Sequence, residues 1–378
     1  MAWALESRVF TLRAGAQETY PVKKYGIFSK LLSTVYKKHE VQRRWGSSLV
    51  RNALAESPSG EYQHNLLVPL QQLVEAHIVF CTESAMGHTQ EAHPECNARV
   101  PAILEGLQKA KLTPEFRHKE VIKIENYDPA SADDIAAVHS KSYLRGMEMA
   151  MEKACEEGLI YVEGSGPTYA TSSTFSESLR AAGAGMALVD SVVAASTMKR
   201  EPPIGFALVR PPGHHAVPSG PMGFCIFGNI AIAARHAQRK HGLKKILIID
   251  FDVHHGNGTN DAFYDDPDIY FLSTHQAGSY PGTGKIEDTG NGAGEGATLN
   301  LPLPGGSGDE AMSAIFHEVI VPAAQRFKPD LILVSAGPAI YNRYILPAGS
   351  EYQISSSRAL WRSLCVLPGR WLQFKVSL

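Results

Sequence analysis

The densest chemistry in this sequence lies in one run, Lys245-Lys-Ile-Leu-Ile-Ile-Asp250-Phe-Asp252-Val-His254-His255-Gly256-Asn257-Gly258-Thr259. Its apolar first half predicts a buried strand, and period-2 alternation puts Asp250, Asp252 and His254 on one side of it. Polar groups that converge on an apolar element are costly unless they pair with one another or bind a metal. Asp252 and His254 would make two of the three protein ligands that a catalytic zinc uses beside its water. The alternative is an Asp–His cluster satisfied within itself. A second stretch, Phe206-Ala-Leu-Val-Arg210-Pro-Pro-Gly213-His214-His215, repeats the arrangement: an apolar strand runs into a Pro-Pro-Gly break that carries two histidines. Pro and Gly fix the backbone there. Paired imidazoles suit a base and an acid flanking a metal-bound water, and each needs a carboxylate or amide behind it to set its tautomer.

The elements that must position these residues alternate. Short apolar runs at 77–81, 205–209, 245–251, 269–273 and 330–335 predict strands buried on both faces. Helix-length segments at 98–111, 133–157, 175–195, 229–240 and 309–327 separate them. The alternation predicts an α/β fold, a three-layer sandwich around a mainly parallel sheet. In such sheets the ligand site lies beyond the carboxyl ends of the strands, where both histidine-bearing stretches fall. The Gly-dense stretch 283–308 predicts long surface loops.

Length and composition bound the rest. With 378 residues, 44% hydrophobic and 20% charged, the chain is that of a globular protein with one large core. A net charge of −2 predicts no broad basic face, and so no direct nucleic-acid partner. No apolar run is expected to reach the length of a membrane span, so no membrane partner is expected, and nothing in the sequence sets the oligomeric state. The five cysteines, Cys81, Cys96, Cys155, Cys225 and Cys365, are scattered and never form CxxC, which fits reduced thiols. The first 55 residues hold ten Lys or Arg, three Glu and no Asp. A basic leader over 1–60 predicts a plastid or mitochondrial transit peptide, against a disordered tail on a cytoplasmic or nuclear protein.

His214-His215, Gly223-Phe224-Cys225, the Asp250–Thr259 run and Tyr280-Pro281-Gly282-Thr283-Gly284 together resemble the histone deacetylase family. The resemblance extends from about His77 to Gly337 and includes His93-Pro94-Glu95 with Arg99, and Val138-His139 through Tyr143. Asn257 stands where many members have Asp, as in the class II-like and bacterial branch. The resemblance implies an arginase/deacetylase-type fold and zinc-dependent hydrolysis of acetyl-lysine-type amides, on an acetylated protein or a small acetylated amine. It implies Zn2+ on Asp252 and His254, proton transfer by His214 and His215, and Asp250 and Asn257 behind them. It places Phe224 and Tyr280 as walls and Gly223 as floor of a tunnel for the acetyl-lysine stem, with Arg99 among the substrate-binding residues. Flat apolar faces suit a neutral four-carbon stem. Members also hold structural monovalent cations such as K+ near this strand, partly through main-chain oxygens.

The chain departs from that pattern at three places. Pro167 stands at a rim position where many members carry an Asp that orients the substrate backbone. After Ser335-Ala336-Gly337, Pro338-Ala339 replaces an aromatic and the Asp that is the family's third zinc ligand, and the next acid is Glu351. The Gly-Gly-Tyr turn whose hydroxyl would stabilise the oxyanion is missing, and Gly369-Arg370-Trp371 stands near the end instead. The deacetylase domain is therefore expected over 75–337 with its C-terminal part incomplete. The tail 338–378 shows no strand–helix alternation and reads as out of frame: a one-base displacement can restore a Gly-Gly-Tyr segment. Weak or absent activity is the expectation, against a non-catalytic variant that only binds partners.

Overall fold

The computed structural model describes residues 66–162, 166–199, 201–337 and the backbone of the strand 372–377. The basic leader, Pro338, Ala339, Glu351 and Trp371 lie outside the described residues.

Each expected strand forms, shifted by a residue or two. In chain order they are β1 (Ile78–Glu83), β2 (Val121–Lys123), β3 (Leu159–Tyr161), β4 (Tyr169–Thr171), β5 (Ile204–Val209), β6 (Ile246–Asp250), β7 (Ile269–Gln276), β8 (Thr298–Leu303), β9 (Leu331–Ala336) and β10 (Leu372–Ser377). Eight of them make one sheet in the order β2-β1-β5-β10-β9-β6-β7-β8, every neighbouring pair parallel. β3 and β4 form a separate antiparallel pair. Every residue of β6 and β9 is buried, as their unbroken apolar sequences require of strands covered on both faces.

Several expectations need correction. The glycine-dense stretch 283–308 contains β8, because Thr298–Leu303 is itself apolar and pairs with β7. The helix expected over 133–157 divides into a turn at Ala132–Ile135 and α1 (Lys141–Glu157). The break comes where Ser140 caps α1, its hydroxyl accepting from the Tyr143 N–H. The tail, read as lacking strand–helix alternation, supplies β10 between β5 and β9. Leu372-Gln-Phe-Lys-Val-Ser alternates apolar and polar residues, a pattern that suits a strand.

Two helices carry much of the core. α2 (Thr174–Met198) is long and apolar enough to cross a membrane by length and composition, contrary to expectation. Here it is a core helix: Ala181, Ala184, Leu188, Val189, Val192 and Ala195 are buried in the same cluster as Val79 of β1 and Ala207 of β5. α3 (Asn229–His241) buries Ile230, Ala233, Ala234 and Ala237 in that cluster as well, and ends at Gly242 in the left-handed conformation. The expected helix at 309–327 forms as Asp309–Ile315, a π-helical turn Phe316–Ile320, and Val321–Phe327.

The register fixes the rim. Asp250, the last residue of β6, lies beside Ser273 of β7 and Ser335 of β9. The chain leaves β5, β6, β7 and β9 at the same edge of the sheet, so residues far apart in sequence meet there.

Candidate active site

The two histidines of the Pro-Pro-Gly break sit directly after β5, both buried, with ring centroids 3.9 Å apart. Behind each stands the partner that the sequence predicts. His214 Nδ1 lies 3.0 Å from Asp250 Oδ2, and His215 Nδ1 lies 2.7 Å from Asn257 Oδ1. The unlike partners separate the proton affinities. Burial alone would depress His214, but the carboxylates of Asp250 and Asp252 outweigh it and raise the imidazole above its usual range. Burial holds His215 well below that range, and the charge of His214 adds to the effect. The unlike surroundings thus shift the two rings in opposite directions, as suits a neighbouring acid–base pair.

Asp252 and His254 follow on the same exit from β6. The Asp252 N–H donates to Asp250 Oδ1 at 3.1 Å, and the His254 N–H donates to Asp252 Oδ1 at 2.8 Å, so each backbone amide fixes the preceding carboxylate. Burial would raise Asp252, but His214 and His254 overcome it and hold the carboxyl at about 2. His254 Nδ1 is 3.2 Å from Asp252 Oδ1. The chain returning from β9 passes close by: a side chain at Gly337 would overlap the Asp252 carboxylate. Among the described residues, no third His, Cys, Asp or Glu atom converges with Asp252 and His254 within 4.8 Å. The donors fit a zinc ion in part, two positions of the three that such a site needs.

The residues expected to form the walls lie around this pair. Tyr280 stands edge-on to both His215, at 5.0 Å and 88°, and His254, at 6.0 Å and 87°. The residue is 40% exposed. Gly223 backs onto the His215 ring at φ 57°, and a Cβ there would strike the ring. Phe224 follows at φ 69°, a conformation that costs a non-glycine residue free energy. It is held by its N–H to Thr168 Oγ1 at 2.9 Å and by the edge-on ring of His93 at 4.7 Å. Cys225 is buried, burial pushes its thiol well up, and its sulfur accepts the His215 N–H at 3.4 Å.

Nine of the ten predicted site residues therefore meet: His214, His215, Asp250, Asn257, Asp252, His254, Gly223, Phe224 and Tyr280. Arg99 is the exception. Its guanidinium is paired with Glu95, which also pairs with the buried Arg210. Arg210 in turn donates to the carbonyls of Ser84, Ala85 and His88 at 2.7–3.0 Å. Arg99 thus braces the loop after β1. Sequence reasoning gave Arg210 no role, although a charged residue closing an apolar strand before Pro-Pro marked a buried pairing group. Thr168 was also missed as the group that holds Phe224; a hydroxyl carries no signal of this kind in sequence.

Comparison with known proteins gives the family. Residues 93–343 match the histone deacetylase domain, beginning later than the resemblance expected at 77 and running past Gly337. The chain is 64% identical over 292 residues to histone deacetylase 14, chloroplastic, of Arabidopsis thaliana, covering 77% of this chain and 68% of that one. It is 65% identical over 286 residues to histone deacetylase 10, chloroplastic, of Oryza sativa subsp. japonica, covering 76% of this chain and 65% of that one. The crystal structure of the HDA15 HD domain superposes with a TM-score of 0.67 at 29% identity, covering 79% of this chain and 84% of that one.

Proposed function

The chain belongs to the histone deacetylase family, and we propose that it keeps that family's proton-transfer pair and substrate tunnel while holding zinc weakly and turning substrate over slowly. The observation that carries this reading is the pairing of His214 with Asp250 and His215 with Asn257 beside two converging donors, Asp252 and His254, with Ala339 where the third would stand. In an intact site the metal polarises the amide carbonyl and lowers the pKa of its bound water. With two donors no step is assigned to it here. The residues present would do the rest: Phe224 and Tyr280 would flank an acetyl-lysine stem over Gly223, neutral His215 would accept a proton, and His214 would return one to the leaving amine. Without an oxyanion donor from a Gly-Gly-Tyr turn, turnover should be lower by about two to three orders of magnitude. Full-length protein assayed on a fluorogenic acetyl-lysine peptide should therefore show little hydrolysis; robust turnover blocked by a hydroxamate would sink the proposal.

Pro167 favours a second reading of the substrate. A proline offers no carboxylate to hold a peptide backbone at the rim, and its carbonyl lies 3.2 Å from His93 Nε2. A small acetylated amine needs no such anchor. Turnover of acetylated polyamines or arylalkylamines above that of the peptide would support it.

The names of the two plant relatives, together with the basic leader, support residence in a plastid. Residues 1–60 fused to a fluorescent reporter should reach plastids and be removed; a diffuse, uncleaved reporter would count against it. We also propose that 75–337 is the deacetylase domain and that residues beyond Gly337 are read one base out of frame. Coding DNA that spells no Gly-Gly-Tyr segment in the displaced frame would end that idea.

A further inference from the structure

Among the described residues, the His, Asp, Glu and Cys side chains best placed to share a metal ion lie away from the sheet rim. They are Asp190 on α2 and His236 and His241 on α3, whose three ligand atoms all fall within 4.8 Å of one another. His236 Nε2 is 2.7 Å and His241 Nε2 is 2.6 Å from the same oxygen, Asp190 Oδ1. The other oxygen, Oδ2, is occupied by Lys240 Nζ at 2.8 Å.

We propose that Asp190, His236 and His241 form a second site for a zinc-like divalent ion, which clamps α2 to α3 and is independent of Asp252 and His254. Two features set this cluster apart from a plain ion pair. Both imidazoles aim a nitrogen able to bind metal at one point, the single oxygen Oδ1, from rings 80° apart. The donor set is two imidazoles and one carboxylate, the number of protein ligands that zinc takes with a water in its fourth position. Lys240 on Oδ2 leaves Oδ1 as a monodentate ligand and orients it, the part an outer partner plays around a bound metal. The carboxylate is 25% exposed while the two rings are 9% and 3% exposed, so an ion would enter from the Asp190 side and rest against the helices.

Binding needs little rearrangement. Metal–ligand bonds of about 2.0–2.2 Å set neighbouring ligand atoms roughly 3.3 Å apart, so each ring moves back by under ~1 Å from its hydrogen-bonded position. Each Nε2 gives up its hydrogen to become a ligand. The imidazole keeps one proton on Nδ1, and any proton in excess of that is released to solvent, so binding tightens as pH rises. The end of α3, whose last turn carries Arg239, Lys240 and His241, also favours positive charge through its free carbonyls. The proposal stands apart from the catalytic reading, and it means that zinc in the purified protein would not by itself show an occupied active site.

Cobalt(II) is the probe for the test, titrated into chelator-stripped full-length protein. One equivalent should bind with the intense visible bands of a four-coordinate ion. His236→Gln and His241→Gln should each weaken binding at least tenfold. Asp190→Asn, which keeps an acceptor for both rings and so protects the fold, should do the same. The double variant Asp252→Asn, His254→Gln should bind as the parent does. Zinc should also raise the Tm of the parent by a few degrees, and of Asp190→Asn by less. No binding at micromolar cobalt, binding undiminished in Asp190→Asn, or bands lost in the Asp252/His254 double variant would each overturn the proposal.

Discussion

Among the described residues, two groups of histidines live in contrasting surroundings. Around the rim, His88, His139 and His215 are buried, and burial is the largest cause that depresses all three imidazoles. Between α2 and α3, His236 and His241 instead converge on one carboxylate, and Asp190 is the group whose ionisation shifts. The rim histidines serve as rigid neutral hydrogen-bonding parts. His139 takes the Gly228 N–H on Nε2 at 2.8 Å and gives its Nδ1–H to the Val217 carbonyl at 3.0 Å, an arrangement that only the neutral ring can make. The helix pair uses its histidines to gather charge. The first arrangement fixes a precise wall; the second leaves a site that an ion can join.

The largest expected contrast is in response to acid. Burial, helped by the charge of Arg210, holds His88 at about 3. Burial holds His139 at about 4 against the raising effect of the Val217 and Pro218 carbonyls. Both folded values lie below the unfolded value near 6.5. The unfolded chain therefore binds more protons as pH falls below about 6.5, and the stability these rings carry at neutral pH is lost on the way down. By pH 5 each should cost about 2 kcal/mol, about 4 kcal/mol together, read as the change in urea unfolding free energy from pH 7.5. Asp190 moves the other way. Burial would raise it, but His236, His241 and Lys240 lower it, so its contribution is present above about pH 4 and is lost only below that. Stability that stayed level between pH 7.5 and 5 would remove the distinction between the two regions.

A smaller effect should separate the regions sterically. In Gly337→Ala the new methyl overlaps the Asp252 carboxylate, and relieving such overpacking costs about 1–3 kcal/mol. Asp252 and His254 should lose what metal affinity they have, while cobalt binding by Asp190, His236 and His241 stays as it was. If both fall together, the two clusters are coupled through the fold.

Removing one partner at each place should give unequal changes, with the smallest of all between the helices. Asn257→Ala leaves the buried Nδ1 of His215 without its acceptor, at a cost of about 1–3 kcal/mol. Lys240→Ala removes a half-exposed ion pair worth under about 1 kcal/mol. Equal losses in chemical denaturation would mean that the helix pair depends on Lys240 as closely as the rim depends on Asn257.

Much of the fold and the site was legible in the chain itself. Apolar runs of strand length, separated by helix-length segments, determined a parallel sheet with its site at the carboxyl edge, because only strands covered on both faces tolerate such sequences. Period-2 spacing placed Asp250, Asp252 and His254 together, and the Pro-Pro-Gly break marked His214 and His215 as held side chains. The sequence also displayed Ala339 where a donor was expected, since a methyl group has no lone pair to offer. Only the tertiary structure could decide the rest. It showed that Arg99 turns to Glu95 and not to the tunnel, because the burial of Arg210 and Glu95 comes from the meeting of two segments, one after β1 and one after β5. It put Leu372–Ser377 between β5 and β9, a pairing that no local pattern selects. And it brought Asp190 to His236 and His241: their helices are adjacent in space and separated in sequence by a strand, the site loops and more, and period and spacing carry no information across that distance.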